Sequence, residues 1–225
     1  MSPPRWLHWP GAAAGIVTNG LVLYLDAGDS ASYSGSGTTW SDLSASNNDG
    51  TLTNGPTYDS ANSGSLVFDG SNDYVGITPI ALTGAFTLSC WLHRNSRTGA
   101  KILFGEDSGT ASGGPKIGFD DTSYFLRLVS ASSSATGPAA SVWKHLTITR
   151  DGSNKVDLYE NAGTPTRMFS DNAQSGTYTL QALCANGDGS STFSGKIASV
   201  YVYDRALSSS EVTQNFDAIR SRFGI

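Results

Sequence analysis

Trp143-Lys-His-Leu-Thr-Ile-Thr-Arg150, Asp151-Gly-Ser-Asn154 and Lys155-Val-Asp-Leu-Tyr159 are consecutive in the chain. Two runs rich in β-branched and aromatic residues flank a short turn tract, which is a strong hairpin signal. Upstream, Phe86 to His93 alternates, with Phe86, Leu88, Cys90 and Leu92 on one face of a half-buried strand. Gly20 to Leu25 is continuously apolar, as a strand covered on both faces would be. Ser65–Asp69, Lys101–Phe104, Lys116–Phe119, Tyr124–Val129, Tyr178–Leu183 and Gly195–Tyr203 are further strand-like runs between turn signals. About ten to twelve short strands predict an all-β sandwich.

One helix is expected, at the C-terminus. Ser208 and Glu211 form a capping-box pattern, and Val212, Phe216, Ile219 and Phe223 share one helical face. Gly224 is its stop signal, and the helix is expected to pack on the sandwich edge. Ala27 to about Ala61 reads as one long polar loop holding Trp40. Residues 1–19 read as an extended arm, because Pro3, Pro4 and Pro10 interrupt regular structure. Trp6 and Trp9 are costly to expose, so the arm is expected either to anchor the chain on a larger assembly or to be a disordered leader.

The composition fits this reading. In 225 residues, 38% are hydrophobic, only 15% are charged and 26 are Gly, a profile of turns and short strands, and the length suits one domain at 20–225. The net charge is −5 with no basic stripe, which argues against nucleic acid. No apolar run reaches a membrane span. The first residues lack a signal-peptide pattern, so synthesis in the cytoplasm is expected. Cys90 and Cys184 lie in apolar stretches and read as two buried free thiols, with a single bridge as the alternative.

Four groups of residues resemble the concanavalin A-like, laminin-G-type family. They are Gly20–Asp26 with Trp40–Ser44 and Asn48–Leu52; Leu66–Val75 (LVFDGSNDYV); Phe86–Trp91; and Trp143–Leu158 with Phe193–Ile197 and Val200–Ser208 (VYVYDRALS). The resemblance covers about residues 20–220 and implies a jelly-roll β-sandwich. The wording LYLDA, WSDLS and RALS is also similar to structural proteins of tailed bacteriophages. That similarity implies a virion surface protein, on capsid or tail, present in many copies or as a homo-oligomer. Its implied partners are other virion proteins and host surface glycans. A bacterial carbohydrate-binding or adhesion module, extracellular, is the alternative.

Candidate sites follow. Exposed aromatics stack on sugars, and Tyr33, Trp40, Tyr58 and Tyr124 are the candidate platforms, Trp40 equally readable as a pin for its loop. Trp91 and Trp143 read as core. Relatives often hold Ca²⁺ through Asp and Asn, which makes calcium a candidate cofactor, with Asp69, Asn72 and Asp73 as first ligands and Asp26 and Asp29 second. Ordinary turn capping by these side chains competes with that reading. The family's closing segment commonly carries an acid where this chain has Ala198, which weighs against calcium.

Glycosidases need two carboxylates flanking the sugar bond. The only glutamates are Glu106, Glu160 and Glu211, and none forms a paired motif along a strand. His145 reads as structural, and no nucleophile elbow is present. The expected activity is therefore binding, with no catalytic residue and glycoside hydrolysis the least favoured reading.

Overall fold

A computed structural model describes residues 15–95, 101–106, 116–120, 122–128, 131–137, 139–170 and 175–225. Trp6 and Trp9 lie outside the described residues. Among the described residues, sixteen strands form two antiparallel sheets face to face, with one α-helix at the C-terminus. The first sheet contains β1 (Leu21–Asp26), β4 (Thr57–Asp59), β5 (Ser65–Asp69), β7 (Phe86–Arg94), β12 (Trp143–Arg150), β13 (Val156–Glu160), β14 (Thr166–Phe169) and β16 (Ser194–Tyr203), in the order β14-β13-β12-β7-β16-β5-β4. β1 pairs with the part of β16 that β5 leaves free. The second contains β2 (Thr39–Trp40), β3 (Gly50–Thr53), β6 (Tyr74–Thr83), β8 (Lys101–Gly105), β9 (Lys116–Phe119), β10 (Ser123–Leu128), β11 (Ala131–Thr136) and β15 (Thr177–Leu183), in the order β11-β10-β9-β8-β15-β6-β3-β2.

The main core lies between the sheets. Phe86, Leu88, Cys90 and Leu92 of β7 enter it together, as their alternation predicts. Cys90 and Cys184 are both buried free thiols. Arg150 reaches across one end of the sandwich. Its guanidinium donates to the carbonyls of Leu82, Gly84 and Gly176 and lies over the Phe86 ring. A buried cation is tolerable there because its N–H groups meet carbonyl oxygens.

Two differences from the sequence reading have clear causes. The long loop after β1 contains β2, β3 and β4, segments too short to show a periodicity. Within it Trp40 faces Gly50 across the β2–β3 pair, and the side chain that Gly50 lacks leaves room for Val75, which a Cβ would meet at 2.7 Å. In β6 the alternation breaks at Thr78-Pro79, yet the strand continues. Pro cannot donate to the ladder, and the register against β15 shifts there, as at a bulge.

The helix α1 (Ser209–Ile219) starts on the expected capping box and passes into a short 3-10 turn, Arg220–Phe223, closed by Gly224 in the left-handed region. It does not pack on the sandwich edge. It lies on the outer face of the first sheet and forms a second core there, with Trp91, Tyr159, Tyr201, Tyr203, Val212, Phe216 and Phe223. Residues 15–19, which the sequence assigns to the arm, join this layer. Val17 N–H donates to Asn215 Oδ1, and Tyr203 Oη donates to Val17 O.

His145 is sealed in this second layer, in ring contact with Trp91 at 5.1 Å, and its Nε2 lies 2.9 Å from Ser89 Oγ. Burial lowers its pKa to about 3. The unfolded chain therefore binds the imidazole proton first, near pH 6.5, and the stability that neutral His145 confers is full above that pH and lost as the pH falls toward 3. The shifted pKa of Glu211, about 2 because Arg205 and the Ser208 N–H bond its carboxylate, acts only below about pH 4.5. Between pH 7 and 5 the unfolding free energy is expected to fall by about 2 kcal/mol on account of His145. Denaturant unfolding at both pH values, with His145→Phe flattening the slope, checks this; an equally steep slope in the variant would refute it.

Candidate functional site

Lys196 of β16, His93 of β7 and Trp143 of β12 stand opposite one another in register on the outer face of the first sheet. The α1 layer covers this row only in part. Where the cover ends, at Phe223 to Ile225, a cavity of about 440 Å³ opens between it, Trp143, His93, Lys196, Asn62, Ser141 and Val142. That volume is within the usual range of small-molecule sites, about 300–1,000 Å³.

The Trp143 ring is half-buried, supported by Phe223 at 4.6 Å and His93 at 5.6 Å between centroids. Its Nε1 donates to Asn62 Oδ1 at 3.2 Å, and Asn62 Nδ2 donates to Arg222 O at 2.8 Å. Lys196 Nζ lies 2.5 Å from Asp59 Oδ2, so the cation in the wall is paired. His93 Nδ1 is buried and has no hydrogen-bond partner among the described residues.

Both walls hold backbone in the left-handed region without glycine: Asn62 and Ser63 at φ 54° and 64°, and Ser141 at φ 61°. Such residues persist only where the surroundings fix them, and they cluster at functional sites. On the Asn62–Ser63 wall the fixing group is Arg222. Its Nη1 bonds both carboxylate oxygens of Asp26 at 2.9 Å, its Nη2 donates to Gly64 O and its Nε to Asn62 O.

The structure distributes the aromatic candidates differently from the sequence reading. Trp40 is 0% exposed and Tyr124 1% exposed, so neither can offer a ring face to a sugar. Trp40 pins its loop into the main core. Tyr124 donates its hydroxyl to Glu160 Oε2. Tyr33 is buried too, its hydroxyl donating to Gly37 O. Tyr58 alone of the four is exposed, at 37%, leaning on Tyr33 at 5.7 Å. Trp143, which the strand pattern assigns to the core, lines the cavity instead. A strand pattern shows which face a residue takes but not where a covering helix stops.

The first three calcium candidates share one turn, where backbone N–H groups engage the two carboxylates. Asp69 Oδ1 accepts the Ser71 N–H, and Asp73 Oδ2 accepts the Asp69 N–H, within the turn that also holds Asn72. Asp29 accepts the Ala31 N–H in the same manner, and both oxygens of Asp26 are held by Arg222. Among the described residues no three His, Cys, Asp or Glu side chains form a group that could hold a metal. In the structure these carboxylates cap turns and, at Asp26, pair with Arg222. The glutamates are separate: Glu160 pairs with Lys144 and Tyr124, Glu211 with Arg205 and Ser208. No helix among the described residues is long and apolar enough to cross a membrane.

No curated protein matches the chain in sequence. Solved structures share the fold at low identity. The binding domain of Paraclostridial Mosquitocidal Protein 1 is 18% identical with a TM-score of 0.62, over 88% of this chain and 52% of that one. Trypanosoma rangeli sialidase in complex with sialic acid is 17% identical with a TM-score of 0.67, over 93% of this chain but 34% of the enzyme. Domain 4 of AbnA, a GH43 extracellular arabinanase from Geobacillus stearothermophilus, in complex with arabinotriose, is 18% identical with a TM-score of 0.66, over 88% of this chain and 98% of that domain. The chain thus spans about half of the toxin domain and a third of the sialidase, and nearly all of the arabinanase domain. A laminin-G family model matches residues 69–213. With its two-sheet jelly roll and that match over more than half its length, the chain belongs to the concanavalin A-like lectin/glucanases superfamily.

Proposed function

We propose that this chain is a non-catalytic glycan-recognition module, with the Trp143 cavity as its sugar site, displayed in many copies on the surface of a tailed-phage virion. The observation that carries the sugar site is the cavity: an aromatic ring beside Asn62, Ser141, His93 and the Lys196–Asp59 pair, held by strained backbone. An apolar ring face with a few fixed polar groups is what a sugar needs, since it has C–H faces and hydroxyl edges. The arabinanase domain bound to arabinotriose, which this fold covers almost fully, supports the same reading. The virion setting rests on the LYLDA, WSDLS and YDRALS wording. Many copies would make single weak contacts effective. An extracellular bacterial adhesion module is the second reading, favoured by the likeness to a toxin binding domain; the site would be the same and the setting different.

Trp143→Ala is expected to weaken binding to host-envelope glycans at least tenfold, read by titration calorimetry or glycan-array signal. A melting curve of the variant confirms that it is folded. Glycan binding untouched by Trp143→Ala would remove the cavity from consideration. A pull-down of the chain against intact particles, empty capsids and bacterial envelopes separates the two settings.

A further inference from the structure

The rim of the cavity is aliphatic. Among the described residues the exposed large hydrophobic side chains are Tyr58, Val142 at 41% and Ile225 at 39%, and two of these three stand at the mouth of this one cavity. Their exposure costs free energy in the unbound chain, and neither packs into the two cores. A plain hexose can lay its C–H face on Trp143, but its hydroxyl rim has nothing apolar to set against Val142 and Ile225.

Charge narrows the ligand further. Lys196 is paired with Asp59 at 2.5 Å, so an acidic sugar would meet a neutralised wall and would have to break that pair. Asn62 and Ser141, beside the rim, are short polar side chains able to both donate and accept.

From the aliphatic rim beside neutral amide and hydroxyl groups, we infer that the site selects a neutral N-acetylated hexosamine oligosaccharide. The acetamido methyl packs between Val142 and Ile225, and the acetamido N–H and C=O meet Asn62 and Ser141. This rests on the reading of the cavity as a sugar site and specifies its ligand class. Burying one methyl and making one additional hydrogen bond is worth about a tenfold preference.

The test compares three trimers of one backbone geometry by titration calorimetry: N-acetylchitotriose, its deacetylated form and cellotriose. N-acetylchitotriose is expected to bind about tenfold tighter than cellotriose and tighter than the deacetylated trimer. Val142→Ser with Ile225→Ser should reduce that preference to about twofold, read as the ratio of the N-acetylchitotriose and cellotriose affinities of the variant. These are surface changes, so folding is expected to persist, with a melting curve as the check. Equal affinity for N-acetylchitotriose and cellotriose would overturn the inference and leave the sugar site standing. The inference would fall in the same way if none of the trimers bound but another glycan did so through Trp143. Absence of any Trp143-dependent glycan binding would overturn both.

Discussion

Asp26→Ala is expected to lower the unfolding free energy by about 3 kcal/mol, the scale for removing one partner of a buried ion pair. The Asp26 and Arg222 side chains are 6% and 14% exposed, and the pair is bidentate. Without the carboxylate, the guanidinium remains enclosed by the Asn62 and Gly64 carbonyls with its charge unmatched. Asp26 Oδ1 also accepts the Gly28 N–H at 2.8 Å, so a turn loses its cap as well. Asp26→Asn keeps an acceptor for that N–H and removes only the charge, so it should fall between Asp26→Ala and the parent. In the double variant with Arg222→Met, much of the loss should be recovered, because no lone charge remains. Urea unfolding of the four proteins measures this, and a loss under about 1 kcal/mol in Asp26→Ala would contradict it.

The same substitution should be felt at the cavity. Arg222 fixes Asn62 and Ser63 in left-handed backbone, and Asn62 in turn bonds the Trp143 indole. Once the guanidinium loses its anchor, the strained turn can relax and the indole loses its fixed edge. Glycan affinity should therefore drop in the folded fraction of Asp26→Ala, although Asp26 does not line the cavity.

How far the sequence is readable depends on the range of the interaction. The hairpin at Asp151–Asn154 and the capping box at Ser208 are set by neighbours within a few residues, and each appears in the structure as its pattern implies. The alternation in β7 marks its core face, but the strand is not half-buried, because the α1 layer covers its other face. Asp26 and Trp40 depend on partners far away. Asp26 reads as a candidate metal ligand because Arg222, 196 positions on, cannot be paired with it by any local pattern. Trp40 reads as a candidate sugar platform because nothing nearby shows that its two-residue strand turns it into the main core. Tyr124 presents the same problem, its Glu160 partner lying on the opposite sheet. The rim of Val142 and Ile225 is invisible in the sequence for another reason. The first precedes β12 and the second ends the α1 layer, and only the fold puts them together.

Trp91→Ala should be the most damaging single change in the outer layer, costing about 3–5 kcal/mol as large buried aromatics do. Its ring is stacked on Phe223 at 4.2 Å and on Phe216 at 5.5 Å, with His145 at 5.1 Å. All three contacts belong to the layer between the first sheet and α1, so the loss should be local. Amide exchange in α1 should accelerate far more than in β7 or β16, whose ladders are held from both sides. Uniform acceleration through all the strands would instead mean that the two cores unfold as one unit. Trp143 is on the same face of the neighbouring strand, beside the Trp91–His145 register pair, yet its replacement should cost less stability and more binding. Phe216 and Phe223 seal the first indole, whereas the second lies where that cover ends. The opposite effects expected at the two tryptophans follow from where the C-terminal layer stops, since both residues have the same type and the same strand pattern.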